Sequence, residues 1–235
     1  MAKHKLQRFA QMATFKNVIQ PKLDDILNKD HALKGNWNKS FFKNNNPLVL
    51  ELGCGKGEYT TGLAERFPDK NYIGMDIKGA RMWKGASYAL QNHLLNVGFL
   101  RTRIEHITSF FAPGEVAEIW ITFPDPQEKR IRARKRLSSP MFLSLYKKFL
   151  QPSGIIHLKT DNELLYNYTC QVCSSNNLAI KVSTNDLYKT SREERLVSIK
   201  TFYESQFLLQ GYSIKYLCFG LNGNETFKEP PYDES

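Results

Sequence analysis

The chain has 235 residues, 41% of them hydrophobic, and a formal net charge of +10. That is enough apolar content for one large domain, or one domain with a small appendage, and argues against a disordered chain. No run of about 18 uncharged apolar residues occurs and the first 35 residues hold no apolar stretch of signal-peptide length, so a soluble, cytoplasmic protein without a membrane partner is expected.

Residues 1–35 have weak periodicity and a charge of +4, and read as a basic arm that packs on the domain or orders on a partner. From Leu48 onward, short β-branched runs alternate with amphipathic stretches, the pattern of βαβ units and a mostly parallel sheet. Strands are expected at Leu48–Leu52, Tyr72–Met75, Val97–Arg101, Glu118–Thr122 and Ile155–Lys159. Helices are expected at Glu58–Phe67, Ala80–Leu95, Pro140–Leu150 and Glu163–Ser174. Beyond Asn177, "LAIKVST" and "SIKYLCFGL" suit an antiparallel pair at the sheet edge, separated by a loop that enters a helix. The fold expected is α/β, Rossmann-like, with a mostly parallel seven-stranded sheet, helices on both faces and an antiparallel C-terminal strand pair. Residues 36–221 would form this domain, and 222–235, with a charge of −3, an acidic tail.

The first strand runs into "LELGCGKGEYT", where Glu51 precedes Gly53, Gly55 and Gly57. Glycines at a strand-to-helix turn allow positive φ and let backbone N–H groups approach a ligand. Asp76 closes the next strand, where a carboxylate can accept both hydroxyls of a ribose. A nicotinamide dinucleotide fingerprint needs its third glycine three positions after the second; here it comes after two, and the spacing favours S-adenosylmethionine. In methyltransferases with this sheet, a carboxylate at the position of Glu51 contacts the cofactor's amino end. Adenine is expected near the third strand end, beside Arg103, Ile104 and Glu105.

Ligands of an open parallel sheet bind at the carboxyl ends of its strands, which directs attention to "FPDPQEK" and "KTDNEL". Pro124 and Pro126 restrict the backbone around Asp125, and Asp161 either caps the next helix or faces the ligand. Directly after Asp125 come six cations, Lys129, Arg130, Arg132, Arg134, Lys135 and Arg136, against Glu128. Such a segment suits a polyanion, or a solvated face. The four cysteines are too few for a disulfide scaffold, and Cys170 with Cys173 has no second ligand pair, so no metal is expected.

"FPDP" with a Lys/Arg-rich segment ending in "KRL", then "GIIHLKTDN", then "TFYE" before a helix, resembles the bacterial tRNA (guanine-N7-)-methyltransferase family, class I S-adenosylmethionine-dependent enzymes, over roughly Val49 to Ile214. The resemblance implies methyl transfer from S-adenosylmethionine to N7 of a variable-loop guanine, conventionally position 46. It puts cofactor contacts on Glu51, Asp76 and Asp125, and guanosine contacts on Lys129, Asp161, Thr201, Phe202, Tyr203 and Glu204. In this reading the basic segment holds the RNA backbone, and Asp125→Ala and Glu204→Ala each abolish methylation with the fold intact. Gln127 stands where the family usually has Trp, Glu128 where it has Pro, and Arg103 where an acid often follows the third strand. An amino-methyltransferase and a non-catalytic RNA-binding module are the competing readings. Monomer and homodimer both stay open.

Overall fold

A computed structural model describes residues 2–191, 193–221 and 223–231, with side chains from residue 6. In chain order the strands are β1 (Val18–Ile19), β2 (Leu48–Leu52), β3 (Asn71–Met75), β4 (Val97–Leu100), β5 (Val116–Thr122), β6 (Leu150–Thr160), β7 (Ala179–Thr184) and β8 (Lys215–Gly220). The helices are α1 (Ala2–Met12), α2 (Leu23–Ile26), α3 (Glu58–Arg66), α4 (Gly79–Gln91), α5 (Pro140–Tyr146), α6 (Glu163–Ser175), α7 (Leu187–Thr190), α8 (Glu194–Val197) and α9 (Phe202–Leu209). Three tighter or wider turns, a π-helical one at Trp37–Phe42 and 3-10 segments at Ile104–Ser109 and Arg130–Lys135, complete the set.

The strands form one sheet in the order β1-β4-β3-β2-β5-β6-β8-β7, with β8 antiparallel to both of its neighbours and the other pairs parallel. The sheet therefore has eight strands rather than seven. The extra one comes from the N-terminal segment: β1 pairs with β4 through Val18 and Phe99, two residues being too short a run for alternation to announce in the sequence. The same segment is packed rather than detached. Met12 and Ile26 are buried, Trp83 Nε1 on α4 donates to Gln11 Oε1 at 2.9 Å, and the Arg8 guanidinium lies 4.9 Å from the Trp83 ring. The side chains of Lys3 and Lys5, and the tail acids Asp233 and Glu234, lie outside the described residues.

Period-two alternation sorts each strand onto two cores. Leu50, Leu52, Ile119, Ile121, Ile156, Leu158, Leu217 and Phe219 face one layer with α5 and α6, while Val49, Trp120, Tyr216 and Cys218 face the other with α3 and α4. Glu51 and Thr122 alternate with the first set, so they point to the α3 side, and Lys159 follows His157 onto that face too. Chain order reverses between β2 and β5, the switch point at which a doubly wound sheet opens a crevice. The site occupies that crevice.

Candidate active site

At the end of β2 the chain turns into α3 through Gly53, Gly55 and Gly57, whose φ angles are +76°, +55° and +71°. Gly57 admits no side chain, since a Cβ there would lie 2.6 Å from the Phe99 ring. α4 also presses on this turn: a Cβ on Gly85 would come 2.6 Å from the Lys56 carbonyl. A Cβ at Gly53 or Gly55, by contrast, would meet no atom nearer than 3.7 Å, so these two face open space. That space is a cavity of about 400 Å³, large enough for a nucleoside-sized ligand.

An acid stands on each side of the turn. Asp76 Oδ2 accepts from Gly55 N at 2.9 Å and Oδ1 from Lys78 N at 2.7 Å, which fixes the carboxylate and leaves each oxygen a lone pair for a further donor. Glu51 is buried; Oε2 accepts from Thr60 N at 2.9 Å and from the Thr60 hydroxyl, and Oε1 from the Thr122 hydroxyl. Burial pushes the Glu51 carboxyl up to about 7, against the hydrogen bonds from Thr122 and Thr60. The open glycine turn, with a ribose-type acid at one end and a carboxyl suited to an ammonium at the other, fits S-adenosylmethionine. Ile104 joins the cavity wall; Arg103, expected beside adenine, is exposed just before the 3-10 segment and is not part of this wall.

After β5, Phe123 and Gln127 take left-handed backbone angles, φ +46° and +48°, around the two prolines. Asp125 Oδ1 accepts from Gln127 N at 3.0 Å, and Asp125 lines the cavity with Phe123, Pro124 and Gln127. The loop is clamped from outside by Arg136, which donates from Nε to Pro126 O at 3.1 Å and from Nη2 to Gln127 O at 3.2 Å, with its guanidinium 4.3 Å from the Tyr168 ring. Arg136 is only 5% exposed. Two of its donors are therefore engaged by the loop that carries Asp125, and its side chain is withdrawn from the exposed cations expected to hold RNA. Lys129, Arg130, Arg132, Arg134 and Lys135 are exposed, and Lys135 reaches the cavity wall.

Beyond β6, Asn162 rather than Asp161 caps α6, accepting from Leu165 N at 2.9 Å. Asp161 is half-buried, and burial raises its carboxyl above the usual range. Glu204 is 0% exposed and pairs with Lys159, also 0% exposed, at 2.8 Å. Tyr188 donates its hydroxyl to Glu204 Oε1 at 2.9 Å, Lys159 donates to Leu196 O at 2.8 Å, and Glu204 N donates to the Thr201 hydroxyl at 3.2 Å, so Thr201 and Glu204 form a capping box on α9. Burial pulls the Lys159 ammonium below its ordinary value, against the pull of Glu204. Glu204 thus faces the core and is not part of the cavity lining, although the family resemblance assigns it a guanosine contact. A second tie holds α9 to the glycine turn: Phe202 N donates to Glu58 Oε2 at 2.9 Å, and Lys56 Nζ lies 4.2 Å from the Phe202 ring.

The cavity accordingly gathers Glu51, Gly53, Gly55, Asp76, Ile104, Asp125, Thr201 and Tyr203 from five separate stretches of sequence, while Arg103, Lys129, Asp161, Phe202 and Glu204 stand outside its lining. Sequence reasoning passed over Thr122, Lys56, Arg81 and Leu137, which also line it, and Lys159, which is hidden behind it. Thr122 could have been found by strand parity with Glu51; Lys159 carried no signal, because a lysine inside a strand reads as a solvated edge. Among the described residues, no group of three His, Cys, Asp or Glu side chains is placed to hold a metal, and no helix is long and apolar enough to cross a membrane.

A doubly wound sheet whose β2 breaks into glycines under a cavity, with its antiparallel strand β8 next to β6, defines a class I methyltransferase. Solved structures agree on that fold. The 16S rRNA methyltransferase KamB, 14% identical, superposes with a TM-score of 0.58 over 82% of this chain and 92% of its own. The 30S ribosomal A1408 methyltransferase from an uncultured bacterium, 16% identical, does so with 0.54 over 76% and 89%. At the level of sequence, the profile of a family described as "Putative methyltransferase" matches residues 45–217. The tRNA (guanine-N(7)-)-methyltransferase of Bacteroides fragilis (strain YCH46) is 51% identical over 230 residues, 98% of this chain and 90% of the relative, and that of Christiangramia forsetii 50% identical over 219 residues, 93% and 98%. The chain belongs to the tRNA (guanine-N7-)-methyltransferase family.

Proposed function

We propose that this protein methylates N7 of a guanine in tRNA, at the variable-loop position conventionally numbered 46, with S-adenosylmethionine as donor. The observation that carries the reading is the convergence of Asp125, Thr201 and Tyr203 on the same cavity as Glu51 and Asp76: a base-binding wall and a donor-binding wall face one space. When bound, the donor supplies a sulfonium methyl, which the N7 lone pair takes while sulfur keeps the electrons of the broken bond. Asp76 holds the ribose hydroxyls and Glu51 the amino end of the donor. Guanine N7 carries no proton at neutral pH, so the transfer needs alignment rather than a general base.

Asp125, fixed by Gln127 N and by the Arg136 clamp, orients donor and base and stabilises the positive charge that the purine gains. Tyr203 and Thr201 supply ring and hydroxyl contacts at the mouth. Glu204 acts through Thr201, as the brace of that mouth. Lys129 and Asp161 meet the guanosine from the rim, and the exposed cations of the 3-10 segment hold the RNA backbone beside it. Such an enzyme would work in the cytoplasm, where tRNA is.

The test is incubation with tRNA and methyl-labelled S-adenosylmethionine, followed by nucleoside analysis. Label is expected in 7-methylguanosine, and a tRNA whose position-46 guanine is replaced is expected to take none. Label on an exocyclic nitrogen, or no S-adenosylmethionine binding at all, would overturn the reading.

A further inference from the structure

Ile131 is 88% exposed, more than any other large hydrophobic side chain among the described residues. A single exposed isoleucine is ordinary on most surfaces, but this one has a particular setting. It lies in the 3-10 segment Arg130–Lys135, among the exposed cations Lys129, Arg130, Arg132, Arg134 and Lys135. A 3-10 helix repeats every three residues, so positions 130 and 133 share one ridge, 131 and 134 a second, and 132 and 135 a third. Ala133 is buried, as is Arg136 just past the segment, and Lys135 lines the cavity. Ile131 and Arg134, both exposed, share the ridge that carries neither the buried Ala133 nor the cavity-lining Lys135. At about 2 Å of rise per residue, Ile131 stands about 8 Å along the segment from Lys135.

The ridge is also braced. Arg132 N donates to Lys129 O at 2.8 Å, Arg136 N to Ala133 O at 2.9 Å and the Ser139 hydroxyl to Arg134 O at 2.9 Å, while Arg136 ties the segment to Pro126 and Gln127. An isoleucine among cations offers nothing to a phosphate. The apolar surface that an RNA presents is the faces of its bases, and those are open only where the stack has been broken. A guanine held in tertiary pairing must leave its stack to reach the cavity, and leaves such a gap.

Resting on the tRNA reading above, we propose that Ile131 is a positioning wedge: its side chain enters the base stack at the step vacated by the target guanine and holds the extruded state, with the flanking cations on the neighbouring phosphates. Two substrates separate extraction from chemistry: native tRNA, and the same tRNA with the tertiary partners of its target guanine replaced, so that the base is already free. Ile131→Ala and Ile131→Lys are expected to lower kcat/KM on native tRNA by about tenfold or more, yet by less than about twofold on the freed substrate. Ile131→Met, still apolar, should retain most of the activity on both. Equal losses on the two RNAs, or no loss on native tRNA, would overturn the wedge. Failure of the unsubstituted protein to methylate N7 in either RNA would instead overturn the functional reading on which it rests.

Discussion

Glu51 shows how much one carboxyl can be altered by its surroundings. Three hydrogen bonds from Thr60 and Thr122 favour its charge, yet burial outweighs them and brings it up to about 7 from an ordinary 4.5. A folded-state value above the unfolded one means that the folded protein binds the extra proton. The associated stability is complete below about 4.5 and is lost as pH rises through 7, a loss of about 3 kcal/mol for this group. Thermal denaturation of the ligand-free protein from pH 4.5 to 8 should therefore show a falling contribution that Glu51→Gln removes; an identical pH profile in the variant would refute it. A donor ammonium beside Glu51 would favour the charged form, so binding of S-adenosylmethionine near pH 6.5 is expected to release a proton. Calorimetry in buffers of different ionisation heat reads that release directly, and a binding heat independent of buffer would speak against it. Spacing after a strand was enough to single out Glu51 and Asp76, both of which line the cavity, but not to say that Glu51 would be desolvated.

Between elements, the ion pair of Lys159 and Glu204 joins β6 to α9 with no water-exposed atom on either partner. Removing one partner of such a pair leaves the other charge buried, typically at a cost of about 3–5 kcal/mol. Glu204→Ala is thus expected to destabilise the fold by that order in chemical denaturation, contrary to the sequence expectation that it would leave the fold intact. Replacing both residues with Met should recover much of the loss, because apolar side chains of similar volume often replace a buried pair without penalty. If Glu204→Ala were as stable as the natural chain, the pair would not be a brace between β6 and α9. The motif "TFYE" was legible as a helix start, since Thr201 and Glu204 have capping-box spacing, yet the partner on β6 lies 45 residues upstream and no local pattern connects them.

Across the whole molecule, the net charge of +10 does not act uniformly. Five cations of the basic segment remain exposed, while Arg136 is folded inward to clamp the Asp125 loop. Neutralising Lys129, Arg132, Arg134 and Lys135 to Gln should weaken tRNA binding and flatten the slope of log affinity against log salt by about 0.7–0.9 for each phosphate that the protein ceases to neutralise. Arg136→Gln should leave that slope alone and lower both stability and turnover. A salt slope unchanged in the fourfold variant would remove the segment from the RNA interface.

The order of strands and helices from Leu48 to Ser175, the glycine turn and the acids at two strand ends could be read from sequence, because each depends on alternation, turn chemistry or position at a strand end. Local patterns also located the basic segment. They could not separate Arg136 from its neighbours, Glu204 from the cavity or Asn162 from Asp161, nor recognise β1, because those outcomes depend on which distant atoms arrive nearby. Residue type and spacing set what each group is able to bond; burial and the contacts made across the sheet decide which of those bonds form.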